Sequence, residues 1–140
     1  MHLSFGVYDA TAISYATGQV FGIPFRIYYN PGQGGARTLT SIVLTDNSDQ
    51  LGNTDIIFFN AYSDTLGLDS VALALVAADA HKVVGNVALT TAVDLGGARV
   101  LEKDNLNLVL PREGLWGLMV AKSTMIPTAV GNIWIKFGFK

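Results

Sequence analysis

The sequence predicts an all-β protein, a jelly-roll-like antiparallel β-sandwich of about eight strands with one short helical turn. Three observations carry this. Runs of β-branched and aromatic residues recur along the chain, separated by Gly, Pro, Asn and Asp clusters at the roughly 8–12-residue spacing of a sandwich or barrel. Several runs alternate apolar and polar residues, the two-residue period of a half-buried strand. One stretch alone, Leu73–Val84, has the composition of a helix, and Gly85 limits it to a turn or two before the next strand. The 140 residues suit one domain, 1–140, and no linker, repeat or low-complexity tract divides them.

His2–Tyr8 is the first strand, with Leu3, Phe5 and Val7 alternating with His2, Ser4 and Gly6. Asp9–Gly18, rich in Ala, Thr and Ser, is an irregular arm. Val20–Tyr29 alternates most cleanly. Phe21, Ile23, Phe25, Ile27 and Tyr29 share one face, and Val20, Gly22, Pro24, Arg26 and Tyr28 the other. Pro24 has no N–H to give a ladder, so this strand lies at an edge or breaks there. Asn30–Gly35 is a turn cluster. A phosphate-cradling glycine loop would have to open a helix, and a strand, Ala36–Leu44, follows instead.

Ser41–Tyr62 reads as strand, loop, strand. Its polar middle, Asp46–Asp55, is expected to be an exposed hairpin tip. Counted as an EF-hand from Asp46, it puts Leu51 at the sixth position and Ile57 at the twelfth, so that calcium pattern fails. Ile56, Ile57, Phe58 and Phe59 are consecutive, so both faces of the second strand carry large apolar groups. Such a strand must be covered on both sides, by the two layers or by another chain.

Ser63–Asp69 is a loop, and Asp69, Ser70 or Asp79 could cap the helical turn. Val83–Thr90 is a strand. Gly96-Gly97 turns into a short strand around Val100, and Leu106, Leu108 and Leu110 alternate through the next. After the Pro111–Gly114 turn, Leu115–Lys122 is apolar on both faces. Ser123–Asn132 is a loop. In the last strand Ile133, Ile135, Phe137 and Phe139 face in, and Trp134, Lys136, Gly138 and Lys140 face out.

Composition narrows the function. There is no cysteine, which excludes disulfides and thiolate metal sites. Net charge is −2, and charged residues make up 14% against about 25% in an ordinary soluble domain. Hydrophobic residues reach 50%, which fits a large core or a surface covered by other subunits. Arg26, Arg37, Arg99 and Arg112 are scattered, so no nucleic acid is expected as a partner. The longest uncharged apolar run, Val71–Ala78, is far below the roughly 20 residues that span a bilayer, so no membrane partner is expected. The start of the chain lacks the basic and apolar regions of a cleaved signal.

Chemistry is hard to find. His2 and His81 have no second histidine nearby, no serine sits in a G-x-S-x-G turn, and Glu102 and Glu113 are each simply polar residues beside turns. No catalytic, cofactor-binding or metal-ligating residue is expected, and no enzymatic activity. The side chains best suited to contact another protein are Tyr15 in the arm, Pro24, Arg26 and Tyr28 on the edge strand, and Trp134 and Lys136 on the last strand. For Tyr28 and Trp134 the simpler role is packing against the second sheet or a neighbouring loop.

Several segments taken together are similar to a known family. They are S-Y-A-T-G-Q-V-F at Ser14–Phe21, Gly34-Gly35-Ala36 leading into T-S-I-V-L-T-D at Thr40–Asp46, and D-I-I-F-F-N at Asp55–Asn60. A-D-A-H-K-V-V-G at Ala78–Gly85, D-L-G-G-A-R at Asp94–Arg99, N-L-N-L at Asn105–Leu108 and I-W-I-K-F-G-F at Ile133–Phe139 complete the set. In order and spacing the chain resembles the decoration, or cement, proteins of tailed-bacteriophage heads, encoded beside the major capsid protein. Where that family has an Arg-Gly-Thr-Pro-type segment, this chain has S-T-M-I-P at Ser123–Pro127. The resemblance implies a jelly-roll-like structural virion protein, made in the bacterial host cytoplasm and bound to the outer surface of the capsid. It implies self-association, a homotrimer first and a dimer second, and the major capsid protein as partner. The alternative function is a carbohydrate-binding or host-attachment jelly roll, with Trp134 as a stacking platform and the Asp46–Asp55 loop holding calcium.

Overall fold

The β-branched and aromatic runs pair into two antiparallel sheets. The computed structural model describes residues 2–7, 14–27, 38–47, 49–109, 111, 114–126 and 133–140, with the backbone alone for 2–7 and 21. In chain order the elements are β1 (His2–Val7), β2 (Val20–Ile27), β3 (Thr38–Asp46), β4 (Thr54–Phe59), α1 (Ala77–Ala80), β5 (Val83–Leu89), β6 (Ala92–Asp94), β7 (Arg99–Lys103), β8 (Leu108–Val109), β9 (Leu115–Ala121) and β10 (Ile133–Phe139). One sheet has the order β1-β10-β3-β7-β6, with β8 also on β3; the other has the order β2-β9-β4-β5.

Setting aside the short β6 and β8, the longer strands pair from the outside inward. The first pairs with the last (β1 with β10), β2 with β9, β3 with β7 and β4 with β5, all antiparallel. A long hairpin wound over itself into two four-stranded layers has this nesting, and it is a jelly roll. The predicted all-β sandwich is therefore the observed architecture. The structure adds β6, which pairs with β7 around the glycine turn: Leu95 N–H donates to the Ala98 carbonyl at 2.8 Å, and Gly96 has φ +97°.

Alternation fills the space between the layers. Ile42 and Leu44 from β3, Ile56 and Phe58 from β4, Leu101 from β7, and Ile135 and Phe137 from β10 are fully buried there. Phe58 meets Phe137 edge-on, with centroids 6.2 Å apart and planes at 69°.

Three expectations change. First, Ser41–Tyr62 is not a hairpin. β3 and β4 lie in different sheets, so the chain turns a corner between layers after Asp46, with Gln50 and Leu51 part of it. Nor is that corner an exposed tip. Asp46 and Leu51 are fully buried, and Asp46 Oδ2 accepts the N–H groups of Gln50 at 2.8 Å and Leu51 at 2.7 Å. A chain turning from one sheet to the other leaves the ladder, and this carboxylate replaces the lost acceptors.

Second, β2 is an edge strand, as Pro24 requires, but its alternation fails midway. The register against β9 shifts between Phe21 and Phe25, and Gly22 takes φ +76°. This bulge turns Ile23 to the outer side of the second sheet, at 54% exposure, the side on which Val20 is buried under residues 60–76. Third, α1 has Val76 at its N-cap with no side-chain cap bond, so Asp69, Ser70 and Asp79 do not cap it.

The two-faced run on β4 is resolved within the chain. Ile56 and Phe58 point between the layers. Phe59 points to the outer face of the second sheet, where Val20, Leu66, Leu118 and Val120 form a separate buried cluster, with Ile57, Leu73, Leu75 and Trp116 packed against it. Residues 60–76 fold back over that face. Leu118→Ala should therefore cost about 2–5 kcal/mol, as a core truncation does. Urea denaturation measures it; a loss under about 0.5 kcal/mol, normal for a surface site, would show that the segment is not seated.

Candidate interaction surface

The segment over the second sheet is tied down by a set of polar contacts to the elements around it. Asp69 Oδ1 accepts the Tyr15 hydroxyl at 2.7 Å and the Gly22 N–H at 2.8 Å. Val20 N–H donates to the Val71 carbonyl at 2.9 Å, Ser70 N–H to the Val20 carbonyl at 2.8 Å, and Leu73 N–H to the Gly18 carbonyl at 3.0 Å. Residues 69–73 thus turn alongside the start of β2, with one isolated antiparallel bridge between Gln19 and Ala72. Their grip closes the edge. The outward N–H groups of Val20 and Gly22 are taken, and Pro24 has none. Gly67 lies so close to the sheet that a Cβ there would be 3.0 Å from Val20 and 3.1 Å from Leu118.

A second anchor holds the far end of the segment. The buried Asp79 accepts Lys82 Nζ at 2.9 Å through Oδ1 and the Thr65 hydroxyl through Oδ2. These bonds, the one from Lys82 foremost, outweigh desolvation and hold the Asp79 carboxyl below its ordinary range.

Apart from Asn60, Asp64 and Thr65, the exposed part of the segment is largely apolar. Tyr62, Leu68, Val71 and Val76 are exposed, and Ile23 joins them from the β2 bulge. Two shallow depressions lie side by side here, of about 230 and 310 Å³. Ile23, Pro24 and Tyr62 wall the first, Val71, Ala72 and Val76 the second, and Asp64, Gly67 and Leu68 belong to both. At the margin the Tyr62 ring lies 4.8 Å from that of Trp116, and the Arg26 guanidinium sits 5.8 Å from the Trp116 ring centroid. The Tyr62 phenol is held above its ordinary range, first by its hydrogen bond to Asp64 and then by that carboxylate's charge.

The side chains proposed from sequence do not form one surface. Pro24 and Arg26 belong here, at the edge of the second sheet. Trp134 and Lys136 are exposed on β10, on the outer face of the other sheet. Tyr28 lies outside the described residues. The expectation for Tyr15 is corrected: it is fully buried, so its side chain cannot reach a partner. Tyr15 forms an antiparallel bridge with Met125, exchanging N–H to carbonyl bonds of 2.8 and 3.1 Å, and its hydroxyl reaches Asp69.

Sequence reasoning missed Tyr62, Leu68, Val71 and Val76. The available signal was Leu66–Ala78, thirteen residues with Asp69 as the one charge, too short to span a membrane and too apolar for an ordinary loop. The acids of the 46–55 stretch are occupied. Asp46 caps its own corner, Asp49 pairs with Arg99 at 3.0 Å, and Asp55 lies 3.6 Å from Lys122. Comparison with protein-family models, with curated proteins and with solved structures finds no match in any of the three.

Two predictions follow from the anchors. Tyr15→Phe removes one donor from Asp69 and keeps the ring, so it should cost about 1–3 kcal/mol in chemical denaturation, the range for a hydrogen bond to a charged group. For Asp79 the native carboxyl titrates below its ordinary value of 3.8. Its contribution to stability is then complete above that value and is lost as pH falls through the lowered native one. Asp79→Asn should be less stable than the parent at neutral pH, with the gap closing below about pH 4. A gap that stays constant from pH 7 to pH 2 would contradict this.

Proposed function

We propose that this chain is a capsid decoration, or cement, protein. It binds the major capsid protein lattice on the outer surface of a tailed-phage head and self-associates, as a homotrimer in the first instance and a dimer in the second. Three features support the reading: the sequence resemblance spread along the chain, the jelly-roll topology that the resemblance implies, and low charge. The observation that carries it is the apolar exterior of residues 60–76. A surface segment anchored from beneath by Asp69 and Asp79, with Leu68, Val71 and Val76 turned to solvent, is built to be covered by protein. Cementing needs no chemistry. Each copy contributes a modest contact, and linkage through the oligomer multiplies it into durable attachment.

The carbohydrate-binding alternative is less well supported. Trp134 offers a platform at 45% exposure, but the loop acids it would use for calcium are already paired within the protein.

Sedimentation velocity and co-sedimentation with expanded heads of the phage that encodes the protein test the reading together. A defined oligomer that pellets with heads at saturable stoichiometry is expected. A strict monomer that stays in the supernatant would overturn it.

A further inference from the structure

Resting on the decoration-protein reading, we infer that the paired depressions around Asp64 and Leu68 are the capsid-facing surface, and that their occupant is a loop or arm of the major capsid protein carrying apolar side chains beside one lysine or arginine.

Charge complementarity identifies the cation. Two carboxylates, Asp64 and Asp69, line the depressions, and no lysine or arginine does. Asp69 is already committed to Tyr15 and Gly22. Asp64 is exposed, holds the Tyr62 hydroxyl, and has no ion-pair partner among the described residues. It belongs to both depressions, so a cation brought to it would have Ile23 and Pro24 on one side and Val71 and Val76 on the other. A lysine or arginine suits this place because its alkyl stem can lie on the apolar walls while its head reaches the carboxylate.

The backbone identifies a loop or arm rather than a strand. An added strand would need free outward N–H groups on β2, and those of Val20 and Gly22 are taken while Pro24 has none. The occupant is therefore held by side chains. The walls also disfavour a sugar, which needs several fixed polar groups, whereas these are mostly Ile, Pro, Leu, Val and Ala.

The experiment is co-sedimentation with expanded heads of the encoding phage, using the full chain and four variants. Asp64→Lys places a cation against the occupant's cation and should weaken binding at least tenfold; Leu68→Asp should do the same. Both side chains are exposed, and unchanged thermal unfolding will show that the fold is intact. Asp64→Asn keeps the shape and loses the charge, so its binding should be weaker at low salt and insensitive to added NaCl, while parent binding falls as salt rises. Trp134→Ala probes the opposite sheet. If the parent binds heads and the Asp64 and Leu68 variants bind equally well, the inference fails and the decoration reading stands. Loss in Trp134→Ala alone would move the contact to the other sheet and overturn it too. Loss in the Asp64 and Leu68 variants of self-association, with head binding kept, would assign the surface to a second copy. Parent binding competed by free glycans would assign it to a sugar. A parent that binds no heads overturns the reading and the inference together.

Discussion

The carboxylate of Asp69 is the constraint on which the second sheet depends. It joins three segments distant in sequence: the arm through Tyr15, the β2 bulge through Gly22, and its own covering segment. A buried phenol hydroxyl and a backbone N–H at a bulge each need an acceptor, and one charged oxygen serves both. The need runs the other way as well. Without this tether, residues 69–73 would lose their side-chain link to the arm and to β2 and be held there by packing and a few backbone bonds.

That cover is demanded by the strands beneath it. A sandwich with a solvated outer face shows polar residues there. Here β4 and β9, the central strands of the second sheet, send Phe59, Leu118 and Val120 outward. The third layer solves their exposure and creates a milder version of the same problem one layer further out. Leu66, Leu73 and Leu75 pack inward, while Leu68, Val71 and Val76 are left facing solvent. An apolar strip on both sides of a covering segment is what a surface awaiting a protein neighbour would look like.

Much of the fold was legible because it rests on local periodicity. The alternation of β10 and the two-faced runs of β4 and β9 follow from residue type alone, and Pro24 placed β2 at an edge. The errors share a cause: they concern where a strand goes next. The sequence around Asp46 looks the same whether the chain doubles back in one sheet or crosses to the other, and only the crossing buries Asp46 and Leu51. The phase slip in β2 depends on Gly22 at φ +76°, a conformation glycine permits but does not announce. Of the surface, Pro24 and Arg26 were legible as unusual residues on an edge strand. Tyr15 was misjudged because an Ala-, Thr- and Ser-rich arm gives no hint of a distant acceptor, and Asp69 lies 54 residues away. Leu68, Val71 and Val76 escaped because an apolar run in a loop has no period to mark its outer side.

The arrangement of closed edge and apolar face bears on how such a chain could assemble. An open edge strand recruits any other strand through its backbone and so discriminates poorly. Along Val20–Pro24 that route is closed by the Val71 carbonyl, the Asp69 carboxylate and Pro24, which leaves side-chain contact as the means of association there. Side-chain contact can be specific, because shape and charge, here the exposed Asp64, can discriminate among partners. It also costs less ordering when the presenting segment is already fixed, and 60–76 is held by the half-buried Asp69 within it and by the buried Asp79 through Thr65. On the proposed decoration function, joining a lattice and its own copies calls for two surfaces that do not compete. The outer faces of the two sheets, one bearing Leu68 and Val71 and the other Trp134 and Lys136, are separated by the full thickness of the sandwich.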